Sequence, residues 1–234
     1  MTSLLEVKNI HTFIGQFHIL EGVSVVVPEN SITVLLGRNG AGKTTTLKSI
    51  IGLTPPSEGK IIYDGQEVQG QASFDIASKG IGFVPEHRAI FRDLSVLENL
   101  KLAERKKGDL ARKEELIFTL FPDLKRLIKL PGTNLSGGQQ QMLAVARAMV
   151  PENKLLLIDE PSEGLAPVII EQMITAIQEL AADTTVLLVE QNFVVASKLA
   201  ERYVIIEEGQ SVKNGLMADL VDDEETIHRY LGAA

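Results

Sequence analysis

Eight consecutive residues, Gly37-Arg38-Asn39-Gly40-Ala41-Gly42-Lys43-Thr44, constrain this chain more than any other feature. The run sits between an apolar stretch, Ile32 to Leu36, and a helical segment, Gly42 to Ile51, which Gly52 and then Pro55 bring to an end. Small residues let successive backbone N–H groups converge on phosphate oxygens. Lys43 supplies a point charge for the β- and γ-phosphates, and the Thr44 hydroxyl, followed by Thr45, can ligate Mg²⁺. The positive end of the helix dipole adds to this attraction. The run predicts a nucleotide-binding phosphate loop joining a buried strand to a helix.

Four continuous apolar runs read as buried parallel strands: Ile32 to Leu36, Ile81 to Val84, Leu155 to Ile158 and Thr185 to Val189. Each leads straight into polar chemistry, and ligands of open α/β sheets sit beyond the carboxyl ends of the strands. Leu4 to Ile10 and His18 to Val27 are patterned as strands around a turn at Gly15, and Lys60 to Tyr63 as another before Asp64-Gly65. The expectation is an α/β, P-loop NTPase fold: a mainly parallel core sheet, an antiparallel β subdomain and an inserted helical subdomain. The insert spans 86–150, too long for an ordinary crossover, with 1–85 and 151–234 forming the rest of a single domain. The acidic tail from Ala218 to Ala234 reads as helical.

Asp159 and Glu160 close the third run. Strand alternation points neighbouring side chains to opposite faces, so the two take different roles. Asp159 suits the magnesium shell, and Glu160 suits orienting and deprotonating an attacking water. Leu135-Ser136-Gly137-Gly138-Gln139 precedes a helix whose apolar stripe is Met142, Val145, Ala146 and Met149. Ser136 reads as its N-cap, and the glycines leave the helix start bare for an anion.

The phosphate loop, the Leu-Ser-Gly-Gly-Gln segment and Leu155 to Pro161, in this order, resemble the ABC ATPase family over essentially the whole chain. The resemblance implies ATP hydrolysis by a head-to-tail dimer. In it each ATP lies between one subunit's phosphate loop and the other's Ser136, Gly137, Gly138 and Gln139. Three further segments resemble the shorter ATPase of branched-chain amino-acid importers: Val84-Pro85-Glu86 with Arg88, Ile90 and Phe91; Pro161 to Pro167; and Val189-Glu190-Gln191-Asn192. Glu86 then stands where many relatives place a glutamine near the metal, and Gln191 where the switch histidine falls. Glutamine donates and accepts hydrogen bonds but does not change charge, so γ-phosphate sensing here is expected to proceed without protonation. Ile14 stands where the family presents an aromatic ring to adenine. Phe13 and Phe17 are the candidates to replace it, with a core position as the alternative for each. Arg38 stands where proline is common.

Composition narrows the partners. The chain has 234 residues, 44% hydrophobic and 23% charged, so it is globular, and it has no cysteine to build a disulfide or thiolate site. A net charge of −8 works against nucleic-acid binding. No apolar run reaches the roughly 20 residues of a membrane span. The four histidines lack metal spacing, and only His87 borders the site. The expectation is a cytoplasmic subunit on the inner face of the membrane, bound to permease subunits and indirectly served by a periplasmic binding protein. It would pair with itself or with a paralogous ATPase. The alternatives are a non-transport ABC ATPase of translation or DNA repair, an importer of urea or amides, and a regulatory nucleotide switch, against which Glu160 argues.

Overall fold

The computed structural model describes residues 2–232; Met1, Ala233 and Ala234, the last two part of the expected helical tail, lie outside the described residues. The chain opens on a long hairpin, β1 (Ser3–Ile14) and β2 (Phe17–Pro28). β3 (Ile32–Leu36) runs through the glycine loop into α1 (Lys43–Ile50), capped by Gly42. β4 (Glu58–Tyr63) and β5 (Gln66–Glu67) turn at Asp64-Gly65, and α2 (Ser73–Ser78) leads to β6 (Ile81–Val84). Segment 86–150 carries α3 (Val96–Lys101), α4 (Asp109–Leu120), α5 (Pro122–Arg126) and α6 (Gly137–Met149). β7 (Leu155–Asp159), α7 (Pro167–Ala181), β8 (Thr185–Val189) and α8 (Phe193–Leu199) then alternate before a hairpin of β9 (Arg202–Glu207) and β10 (Gln210–Leu216).

The sequence reading did not include β9 and β10. The described part of the tail is helical, in three short pieces: α9 (Met217–Val221), α10 (Glu224–Thr226) and a π-helical turn, Ile227–Leu231. Asp223 explains one break, since its side chain caps α10 by accepting from the Thr226 N–H at 3.0 Å.

Two sheets result, an antiparallel one in the order β2-β1-β4-β5 and a six-stranded one in the order β10-β9-β3-β8-β7-β6. In the larger sheet every pairing from β9 to β6 is parallel, and β10 alone runs against its neighbour. Every residue of β3, β7 and β8 is buried, as continuous apolar runs require when both faces are covered. Alternation divides them. Val34, Leu36, Leu156, Ile158, Val186 and Leu188 pack with α6, α7 and α8 on one face. Leu35, Leu155, Leu157, Leu187 and Val189 pack with α1 and the antiparallel sheet on the other. Register aligns Leu35 and Asp159 with Val189, so the segments leaving β3, β7 and β8 emerge together along one edge. Among the described residues no helix is long and apolar enough to cross a membrane.

Candidate nucleotide site

Gly37 leaves β3 with φ 145°, and a Cβ there would overlap the carbonyl oxygen of Ile206 in β9. Glycine is what lets the loop depart so close to that strand. Arg38, Asn39 and Gly40 are exposed, while Ala41, Gly42, Lys43 and Thr45 turn inward and are buried. Lys43 Nζ donates to the carbonyls of Gly37 at 2.9 Å and Arg38 at 3.2 Å, which keeps the ammonium inside the curve of the loop. The Arg38 side chain goes elsewhere. Its Nη2 donates to the Arg229 carbonyl at 3.1 Å, tying the loop to the π-helical turn at the end of the chain.

Both acids at the end of β7 meet this loop. Thr44 Oγ1 donates to Asp159 Oδ1 at 3.0 Å, and Lys43 Nζ lies 3.4 Å from Glu160 Oε1. Each acid thus meets a different residue of the loop, and the strand itself stops at Asp159. Glu160 turns to φ 44°, and its N–H donates to the Val189 carbonyl at 3.0 Å. Burial pushes the Asp159 carboxyl up to about 6; the Thr44 hydrogen bond opposes this, and the charges of Glu160 and the half-buried Glu86 add to it. Among the described residues no three His, Asp or Glu side chains group into a metal cage. One hydroxyl and one carboxylate, with two more carboxylates close by, suit an ion that takes most of its shell from water and phosphate, as Mg²⁺ does.

Glu190, to which the Val189-to-Asn192 segment assigns no role of its own, is 1% exposed and hydrogen-bonded at this edge. Its Oε1 accepts from the Ser162 N–H at 3.2 Å; its Oε2 accepts from the Ser162 hydroxyl at 3.0 Å and the Asn192 N–H at 3.3 Å. Burial pushes its carboxyl up to about 7 against the pull of these bonds, and the charge of Glu160 adds to the rise. A raised folded-state pKa means that the native protein holds this proton more tightly than the unfolded chain. The contribution to stability is therefore full below the ordinary value near 4.5 and is lost as pH climbs to about 7. In urea unfolding, wild type should lose on the order of 3 kcal/mol relative to Glu190→Gln between pH 4.5 and 7.5. A pH-independent difference between the two would refute this.

Gln191 is exposed and lines a groove with Phe193, Glu224, Ile227 and His228. His228 therefore lies in the same groove as Gln191, which its distant place in the sequence concealed. His87 lines a separate groove with Glu86, Arg88 and Gly164.

At the second helix, Ser136 and Gln139 form a reciprocal cap. The Ser136 Oγ accepts from the Gln139 N–H at 3.3 Å, and the Gln139 Oε1 accepts from the Ser136 N–H at 3.0 Å. Gly138 also has a packing reason, since a Cβ there would press to 3.2 Å from Ile169 of α7. Gly137 is exposed, and a Cβ on it would meet the Arg88 guanidinium at 3.3 Å, so a cation stands beside this helix start. Neither Phe13 nor Phe17 is core, at 46% and 65% exposed. Phe13 stacks on His18 with ring centroids 4.2 Å apart and planes 6° from parallel.

A glycine loop between strand and helix at the edge of a parallel sheet, with two acids at the end of a neighbouring strand, defines a phosphate-loop nucleoside triphosphatase. Residues 20–163 match the ABC transporter family model. The high-affinity branched-chain amino acid transport ATP-binding protein BraG of Pseudomonas aeruginosa is 40% identical over 232 residues, covering 98% of this chain and 100% of BraG. The probable branched-chain amino acid transport ATP-binding protein LivF of Archaeoglobus fulgidus is 34% identical, covering 90% and 91%. The lipopolysaccharide export system ATP-binding protein LptB of Escherichia coli K12 is 31% identical, covering 97% of each. An ATP-binding cassette of an ABC transporter, solved in its ADP conformation, superposes with a TM-score of 0.85 over 100% of both chains at 23% identity. This chain belongs to the ABC transporter family as an ATP-binding, ATP-hydrolysing subunit.

Proposed function

We propose that this subunit energises an importer of branched-chain amino acids, working as one half of an ATPase dimer against membrane-embedded permease subunits. The solute rests on the 40% identity to BraG across nearly the whole of both chains, a margin above the 31% shared with LptB. In each site the backbone N–H groups from Gly37 to Thr45 and the Lys43 ammonium hold the β- and γ-phosphates. Thr44 and Asp159 would hold magnesium, with the Glu86 carboxylate close enough to add its charge. When bound, Mg²⁺ neutralises charge on the phosphate oxygens. Glu160 takes the proton of the attacking water, and Gln191 hydrogen-bonds the γ-phosphate. The helix start at Ser136, Gly137, Gly138 and Gln139 faces the ATP of the opposing subunit, and its position beside Arg88 supports anion binding there. Phe13 and Phe17, exposed at the tip of the first hairpin, are the side chains offered to adenine.

Hydrolysis of Mg·ATP by the purified chain across protein concentration tests the dimer. A rate rising faster than linearly is expected if the chain pairs with itself; activity only on adding a paralogous ATPase and permease identifies the heteromeric form. Strictly linear activity from dilute monomer would overturn the shared site. For the solute, proteoliposomes carrying the assembled transporter and its binding protein should take up leucine, isoleucine or valine on ATP addition. Uptake of urea or amides alone would overturn the assignment.

A further inference from the structure

A buried carboxylate carries a desolvation cost that an apolar residue at the end of β8 would avoid. What Glu190 touches gives that cost a purpose. Ser162 stands two residues beyond Glu160, and Asn192 stands one residue beyond Gln191. One side chain thus receives the N–H and hydroxyl of the segment that carries the water-activating acid. It also receives the N–H of the segment that carries the γ-phosphate partner.

Both segments need such a hold. Glu160 occupies φ 44°, a backbone region that a non-glycine residue keeps only when its surroundings impose it. Gln191 is exposed, and its backbone bends around the Glu190 carboxylate, which the next N–H closes upon. The hold continues into α8, because the Asn192 side chain accepts from the N–H groups of Val194 at 3.0 Å and Val195 at 3.3 Å.

We propose that Glu190 is a positioning residue for ATP hydrolysis, clamping the Ser162 and Asn192 segments together so that Glu160 and Gln191 address the same γ-phosphate. The inference rests on the roles given above to Glu160 and Gln191. Glu190 is buried, so it acts through the segments it holds.

The test measures kcat, KM for ATP, nucleotide affinity and Tm for Glu190→Gln, Ser162→Ala, their double variant and Glu160→Gln, each in the assembly that hydrolyses ATP. Glutamine keeps the shape of Glu190 but sets an NH2 group against backbone donors. Misplacement of a catalytic group by about 1 Å costs on the order of 10²-fold, so Glu190→Gln should lower kcat about 10- to 100-fold. ATP affinity should stay within about twofold, because Lys43 and Thr44 lie outside the clamp. Ser162→Ala should cost less, and the double variant should be no worse than Glu190→Gln alone, the signature of one shared interaction. A Glu190→Gln kcat within about twofold of wild type, beside a collapsed Glu160→Gln, would overturn this inference alone. Parallel loss of kcat, ATP affinity and Tm would reduce Glu190 to a structural residue and overturn it too. If Glu190→Gln fails to fold, an unchanged kcat in Ser162→Ala decides against the clamp. Full turnover in Glu160→Gln would remove the assignment beneath and the inference with it.

Discussion

Glu160→Gln lowers kcat for Mg·ATP hydrolysis by about 10² to 10⁴-fold, the range expected when a general base is lost, while ATP binding persists. Glutamine has the size of glutamate, and its amide oxygen can still accept from Lys43 Nζ, now 3.4 Å from Glu160 Oε1. It cannot accept the proton of water. The loop contacts of Lys43 to Gly37 and Arg38, and of Thr44 to Asp159, do not involve Glu160. Nucleotide affinity should therefore hold or rise, since the product that would dissociate no longer forms. Single-turnover hydrolysis with equilibrium binding of ATP separates these quantities. A variant rate within about tenfold of wild type would place the base elsewhere, and Glu86 is the other carboxylate felt at Asp159.

What could be read from the sequence was local. The phosphate loop needs only eight consecutive residues, and β3, β6, β7 and β8 announce themselves as apolar runs cut off by polar residues. β9 carried the same signal, Tyr203 to Ile206 before a Glu208-Gly209 turn, and its flanking charges at Arg202 and Glu207 masked it. β10 alternates between half-buried and exposed positions, so no apolar run marks it. The harder losses were long-range. Glu190 stands in a polar cluster that reads as a solvated strand end, and only the neighbouring β7 segment, bringing Ser162 to it from 28 positions away, reveals an inward carboxylate. Arg38 finds the Arg229 carbonyl across 191 positions of sequence. At Ser136 two readings of the same residues, helix cap and anion site, are compatible: the cap uses the serine and glutamine side chains and leaves Gly137 exposed. Asp159 and Glu160, read as neighbours with different roles, meet different residues of the loop, Thr44 and Lys43, and what the sequence hid is that β7 ends between them and Glu160 turns to φ 44°.

The same tight edge makes Gly37 the most demanding glycine of the loop. Gly37→Ala should lower Tm by about 10 °C, whereas Gly40→Ala should cost only a few degrees. Both glycines have positive φ, 145° and 80°, so both variants carry a backbone penalty of about 1–2 kcal/mol. They differ in space. A Cβ at Gly40 meets no heavy atom within 4 Å, but one at Gly37 overlaps the Ile206 carbonyl oxygen. That oxygen belongs to β9, which is paired with β3 on one side and β10 on the other, so it cannot retreat without disturbing the sheet. Together the strain and overlap reach about 3–5 kcal/mol, the range of the severest single substitutions, and in a chain of this length each kcal/mol moves Tm by roughly 2–4 °C. ATP affinity should fall with stability in Gly37→Ala, because Lys43 is held by the carbonyls of Gly37 and Arg38, and a displaced Gly37 carries the ammonium with it. Thermal unfolding and ATP binding of the two variants decide the matter. Equal losses in both would mean that φ alone governs the loop; a loss concentrated in Gly37→Ala would mean that the closeness of β9 fixes where the phosphate loop begins.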